Sequence, residues 1–282
     1  MEKNIRFNLL LTGLLLLGLV IASCKKKGCT DTNAANYNAE AEKDDGSCVF
    51  NPSVTIQFTQ NIDGTNVTEG NYNNLSYTNA DGQLWSITKM RYLISDLRFY
   101  TSDGDSVVID EYHLVDMADV STLSWTLTEG LEPASYTGIG FTFGFDEEDN
   151  VSGMYSDLNS ASWSSPEMLG GGYHSMQFEG RYVNDAGTDT NIFAFHTLSK
   201  IRQIVGVDTS YHANHVVIPL ASSSFTHSAD VSIEIKMDIN EWFQNPNTWD
   251  LDTYDLGLMS NYDAQVMMKA NAATVFSIGS IN

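Results

Sequence analysis

The stretch Gly170 to His196 reads GGGYHSMQFEGRYVNDAGTDTNIFAFH, the pattern of a β-hairpin with a histidine on each arm. The first arm, Tyr173-His174-Ser175-Met176-Gln177-Phe178-Glu179, alternates residue by residue. The second, Ile192 to Leu198, is apolar and aromatic. Between them Asn184-Asp185-Ala186-Gly187 forms a turn sequence, because Asn, Asp and Gly tolerate positive φ. A turn centred on Asp185, midway between His174 and His196, predicts the two histidines directly opposite each other. Directly opposed residues bring their Cβ atoms to roughly 5 Å, and two imidazoles that close can share a metal ion. Strand alternation also predicts that His174, Met176 and Phe178 share one face, which makes Met176 a third candidate ligand.

Outward from this hairpin the pattern stays β. Val54-Ile56-Phe58 alternates. Trp85 to Tyr100, Val107 to Val115, Leu123 to Leu127, Tyr136 to Phe145, Val216 to Leu220 and Val231 to Ile239 are further strand candidates. Many short strands separated by turn signals, without strand–helix alternation, predict an all-β fold, an antiparallel β-sandwich. A short C-terminal helix is predicted from an Asp263 cap through Ala264 to Phe276, with Val266, Met267, Ala270 and Thr274 on its inner face. Residues 53–282 are long enough for a single core.

The N-terminus has a different character. Lys3 and Arg6 precede an apolar run, Leu9 to Ile21, of signal-peptide length. Ile21-Ala22-Ser23-Cys24 resembles the lipobox of bacterial lipoproteins, which implies removal of residues 1–23, lipid on Cys24 and membrane attachment through it. The expected location is the bacterial cell envelope, periplasmic or on the outer-membrane surface. Residues 24–52 read as an acidic spacer. In an oxidising compartment Cys29 and Cys48 are expected to pair as a disulfide. The segment resembles a short Cys-bounded motif, GCTD to DDGSC, frequent in secreted bacterial proteins. Asp31, Asp44 and Asp45 within it make calcium a second candidate ion, as do Asp146 to Asp149.

The formal net charge is −22. So acidic a chain repels phosphate backbones, and no nucleic-acid partner is expected. No nucleophile elbow, HExxH or phosphate loop is present, so a binding protein is expected rather than an enzyme. A hydrolase would have to use carboxylates among Asp146 to Asp149 and Glu179. Glu179 is instead expected to form a salt bridge with Arg181.

Several separated stretches resemble the methanobactin-associated copper-binding protein family (MbnP-like). They are Arg91-Tyr92-Leu93-Ile94-Ser95-Asp96-Leu97, Tyr112-His113-Leu114-Val115-Asp116, Gly138 to Asp146 with Asn150, Gly170 to Gly180 with Phe195-His196, Asn240-Glu241-Trp242-Phe243, and Asn271 to Phe276. The resemblance implies an extracytoplasmic β-sandwich that binds copper through histidines. It also implies a tryptophan oxidised to kynurenine by a partner dihaem peroxidase-like enzyme. Many relatives carry a tryptophan just before the Gly-Tyr pair. Here Met168-Leu169-Gly170-Gly171 stands there, and Trp163 is the nearest candidate. The expected metal set is therefore His174, His196, Met176 and Trp163. The alternative is a metal-free surface module that binds a glycan or protein through exposed Trp125, Trp163, Trp242 and Trp249.

Overall fold

The structure, a computed structural model, describes residues 25–282. The signal-peptide reading of residues 1–23 and the lipidation of Cys24 lie outside the described residues. The described residues divide into two units, the first ending at Asn51 and the second running from Pro52 to Asn282. In the first, Cys29 and Cys48 are disulfide-bonded. Its Asp31, Asp44 and Asp45 each accept a backbone N–H two residues ahead, from Asn33, Gly46 and Ser47. Those carboxylates shape local turns.

In the second unit the strands begin β1 (Val54–Ile62), β2 (Thr65–Val67), β3 (Tyr77–Thr78), β4 (Leu84–Tyr100), β5 (Ser106–Asp116), β6 (Ser124–Thr126), β7 (Ala134–Tyr136) and β8 (Gly138–Phe143). After helix α1 (Ser156–Ser160) come β9 (His174–Val183), β10 (Thr190–Leu198), β11 (Lys200–Val205), β12 (Asp208–Ala213), β13 (Val216–Leu220), β14 (Phe225–His227) and β15 (Val231–Asp238). Helices α2 (Leu251–Tyr254) and α3 (Tyr262–Val275) precede β16 (Phe276–Ile281).

Two sheets pack face to face. One runs β16-β15-β1-β2, with β6 also on β1; the other runs β10-β9-β4-β8-β13, with β3 and β5 also on β4. Nearly all pairings are antiparallel. Strands β1 and β15 instead run parallel, from Val54 opposite Val231 to Asn61 opposite Asp238. The reason for two sheets is legible in β1 and β15: each buries every second residue, as a strand with one face on a core must. Ile56, Phe58, Ile233 and Ile235 join Trp85, Tyr92, Phe178 and Phe195 in one apolar cluster. Trp85 packs against Phe178 and Phe243 at ring-centroid distances of 5.8 and 4.8 Å. Truncating a tryptophan so placed costs about 3–5 kcal/mol.

The C-terminal helix is present, but it turns a different face inward. Asn261 caps α3 by accepting from Ala264 N. The buried residues are Ala264, Gln265, Met268, Asn271, Ala272 and Val275, while Val266 is exposed. Hydrophobicity alone misplaces the face because two of the inward residues are amides. Asn271 Nδ2 donates to the carbonyls of Trp242 and Asn247, and Gln265 bonds the end of β10. Each buried amide is hydrogen-bonded, which removes most of the penalty for burying it.

Candidate metal centre

Between Asn150 and β9 the chain folds back on itself. Gly170, Gly171 and Gly172 all have positive φ. At Gly172 a Cβ would lie 2.1 Å from Asn150 Oδ1, the atom that accepts from Tyr173 N. The reversal pairs Ser164 with Tyr173 and sets Trp163 beside His174. Both His174 N (3.0 Å) and His174 Nδ1 (2.8 Å) donate to the Trp163 carbonyl. The Trp163 and His174 rings lie 5.7 Å apart, and the Arg91 guanidinium sits 5.1 Å from the indole centroid. The order Trp163, glycine bend, His174 thus brings together two of the residues expected at the site.

The hairpin register differs from the expectation. Val183 pairs Thr190 and Asn191 pairs Tyr182, so the turn centres between Ala186 and Gly187 rather than on Asp185. His196 therefore opposes Gln177, and His174 opposes Leu198. A regular strand would still separate the histidines, because Ser175, not His174, would share a face with Gln177. A β-bulge resolves this. The pairing shifts by one residue between Thr197, opposite Met176, and Leu198, opposite His174, which leaves Ser175 as the extra residue. Ser175 hydrogen-bonds Ser199, and His174 turns to the outer face of the sheet with Gln177, Glu179 and His196. The His174 and His196 rings end up 5.4 Å apart, edge to face.

The same bulge removes Met176 from the site. Opposite Thr197, it points inward and is fully buried in the main core with Phe178 and Tyr182. The shared face expected for His174 and Met176 does not hold, because the extra residue Ser175 lies between them and breaks the alternation.

Polar groups complete the outer face. Glu179 Oε1 accepts from His196 Nε2 at 2.9 Å and from Lys89 Nζ at 2.7 Å. Its salt bridge is thus to Lys89 of β4, not to Arg181. The His196 hydrogen bond, followed by Lys89, depresses the Glu179 carboxyl to about 2. Burial depresses His174 to about 4, with the neighbouring His196, Arg91 and Lys89 acting in the same direction. His174 is therefore neutral at pH 7. Its Nδ1 proton is committed to Trp163, so Nε2 is the lone-pair nitrogen, and Nε2 is buried without a hydrogen-bond partner. An orphaned, neutral imidazole nitrogen beside a second imidazole suits a metal that favours nitrogen ligands. Lys89, Gln177 and Gln265 were not legible as site residues. Glu179 and Lys89 stand ninety positions apart in the chain, and only the β4–β9 pairing joins them.

The other candidates fall elsewhere. Trp125, Trp163, Trp242 and Trp249 are all buried, so these four do not form the exposed aromatic surface expected of a glycan- or protein-binding module. His113 stacks between Phe58 and Trp125. His212 bonds Ser210 within β12, and His227 is buried in β14. Of the acidic loop, Asp149 comes within 4.8 Å of Asp96 and Asp110.

The fold and the outer face define a β-sandwich that presents paired imidazoles beside a buried tryptophan. The MbnP family profile matches residues 51–277, and the chain belongs to the MbnP family. Among solved structures, MbnP from Methylosinus trichosporium superposes with a TM-score of 0.51 at 12% sequence identity, over 76% of this chain and 83% of that one. At that identity the likeness is one of fold. No curated protein matches the sequence.

Proposed function

We propose that this protein binds copper in the cell envelope, for acquisition, storage or handover, and is not an enzyme. His174, through Nε2, and His196 would hold the ion, with lipid on Cys24 tying the chain to the membrane. The observation that carries this reading is the buried, unpartnered Nε2 of His174, 5.4 Å from a second imidazole ring by centroid. Copper stands highest among the divalent ions in affinity for nitrogen sites, and imidazole suits it. Membership of the MbnP family supports this reading.

Trp163 belongs to the proposed site through its carbonyl, which orients His174, and through its indole, which lies against that ring. It is the residue that a dihaem peroxidase-like partner would oxidise. Copper analysis of protein purified from copper-replete cells tests the function. The expected result is one copper per chain, retained after removal and reconstitution. A sub-stoichiometric content in both preparations would overturn it. Intact mass reads the Trp163 modification independently, since kynurenine and tryptophan differ in mass.

A further inference from the structure

We propose that Glu179, anchored by Lys89, is a positioning residue that fixes the tautomer of His196, so that the two histidines form a mixed-tautomer pair. His174 would present Nε2 and His196 would present Nδ1. The link to copper rests on the reading of this pair as the metal site; the tautomers themselves do not.

A neutral imidazole has one protonated nitrogen and one lone-pair nitrogen, and the fixed hydrogen bond of one decides the role of the other. At His174 the partner is a backbone carbonyl, which only accepts. Nδ1 must carry the proton. At His196 the partner is Glu179 Oε1, which also accepts from Lys89 Nζ, so the neutral form of this ring carries its proton on Nε2. The two rings are thus protonated at opposite nitrogens although they stand side by side. Lys89 Nζ binds the same Glu179 Oε1, which holds the carboxylate charged and in place. Gln265 fixes the backbone beneath. Its Nε2 donates to the His196 carbonyl at 2.8 Å, and its Oε1 accepts from Leu198 N at 3.2 Å. Glu179 thus acts on His196 as carboxylates commonly act on metal-binding histidines, by setting ring orientation and raising ligand basicity.

The test is nitrogen-15 NMR of the histidine rings in the metal-free protein near neutral pH, paired with copper titration. The expected spectrum shows His174 protonated at Nδ1 and His196 at Nε2. In Glu179→Ala, His196 should become a mixture of tautomers and copper affinity should fall about 10–100-fold. Glu179→Gln keeps an accepting oxygen and should restore both the Nε2–H form and most of the affinity, which a merely structural role would not require. The same tautomer on both rings, or an unchanged His196 signal in Glu179→Ala, would overturn the assignment. Mixed tautomers in a wild-type protein that takes up no copper would support the tautomer assignment and overturn the copper reading.

Discussion

The two halves of the β9–β10 hairpin obey different rules. Near the turn the pairing is regular from Val183–Thr190 through Met176–Thr197, and side chains alternate as the sequence pattern requires. Phe178, Tyr182, Phe193 and Phe195 face the core, whereas Gln177, Glu179 and His196 face outward. At the open end one extra residue, Ser175, reverses the count and carries His174 outward. The regular half supplies stability, and the irregular half assembles the candidate site. A strand can therefore place an imidazole beside another that its register would have put on the opposite face.

The largest effect should come from disturbing the close packing of the regular half. A Cβ at Gly180 would lie 2.0 Å from the Ser86 carbonyl oxygen and 2.4 Å from the Phe193 ring. Gly180→Ala should lower stability by about 3 kcal/mol, read from denaturant unfolding. A loss below about 1 kcal/mol would mean that the β4–β9 contact is looser than described.

At the bulged half the effect should appear as pH dependence. In the metal-free protein, His174 has a folded pKa of about 4 against an ordinary 6.5. Between those values the unfolded chain binds a proton that the folded chain refuses. Stability should therefore fall as pH drops from 6.5 to 4, by on the order of 2–3 kcal/mol from this group. His174→Phe should remove that component of the slope. An unchanged slope in the variant would show that His174 is not buried in its neutral form.

The smallest effect should come from Met176. Met176→Leu conserves volume in the main core and should cost less than about 1.5 kcal/mol. It should leave copper affinity at the wild-type value, because the thioether faces away from the histidines. A tenfold loss in a titration would return Met176 to the site.

Much of this architecture is legible in the sequence. Alternation in Val54-Ile56-Phe58 predicts β1, the Asn-Asp-Ala-Gly run predicts the turn, and the cysteine pair predicts the bridge between Cys29 and Cys48. The parity of β9 is not legible, because an added serine is the same residue whether it pairs or bulges. The Glu179–Lys89 pair depends on strand pairing between distant segments. The inward face of α3 carries Gln265 and Asn271, which composition alone assigns to solvent. Trp163 beside His174 was recoverable because three consecutive glycines announce a sharp reversal between them.

Copper titration of the wild-type protein, His174→Ala and His196→Ala against a competing chelator probes the pairing of the two rings most directly. Each alanine variant should remain folded by circular dichroism and lose about 100-fold or more in affinity, roughly 2.7 kcal/mol. If either variant holds copper as tightly as the wild type, the ion is not gripped between these two imidazoles.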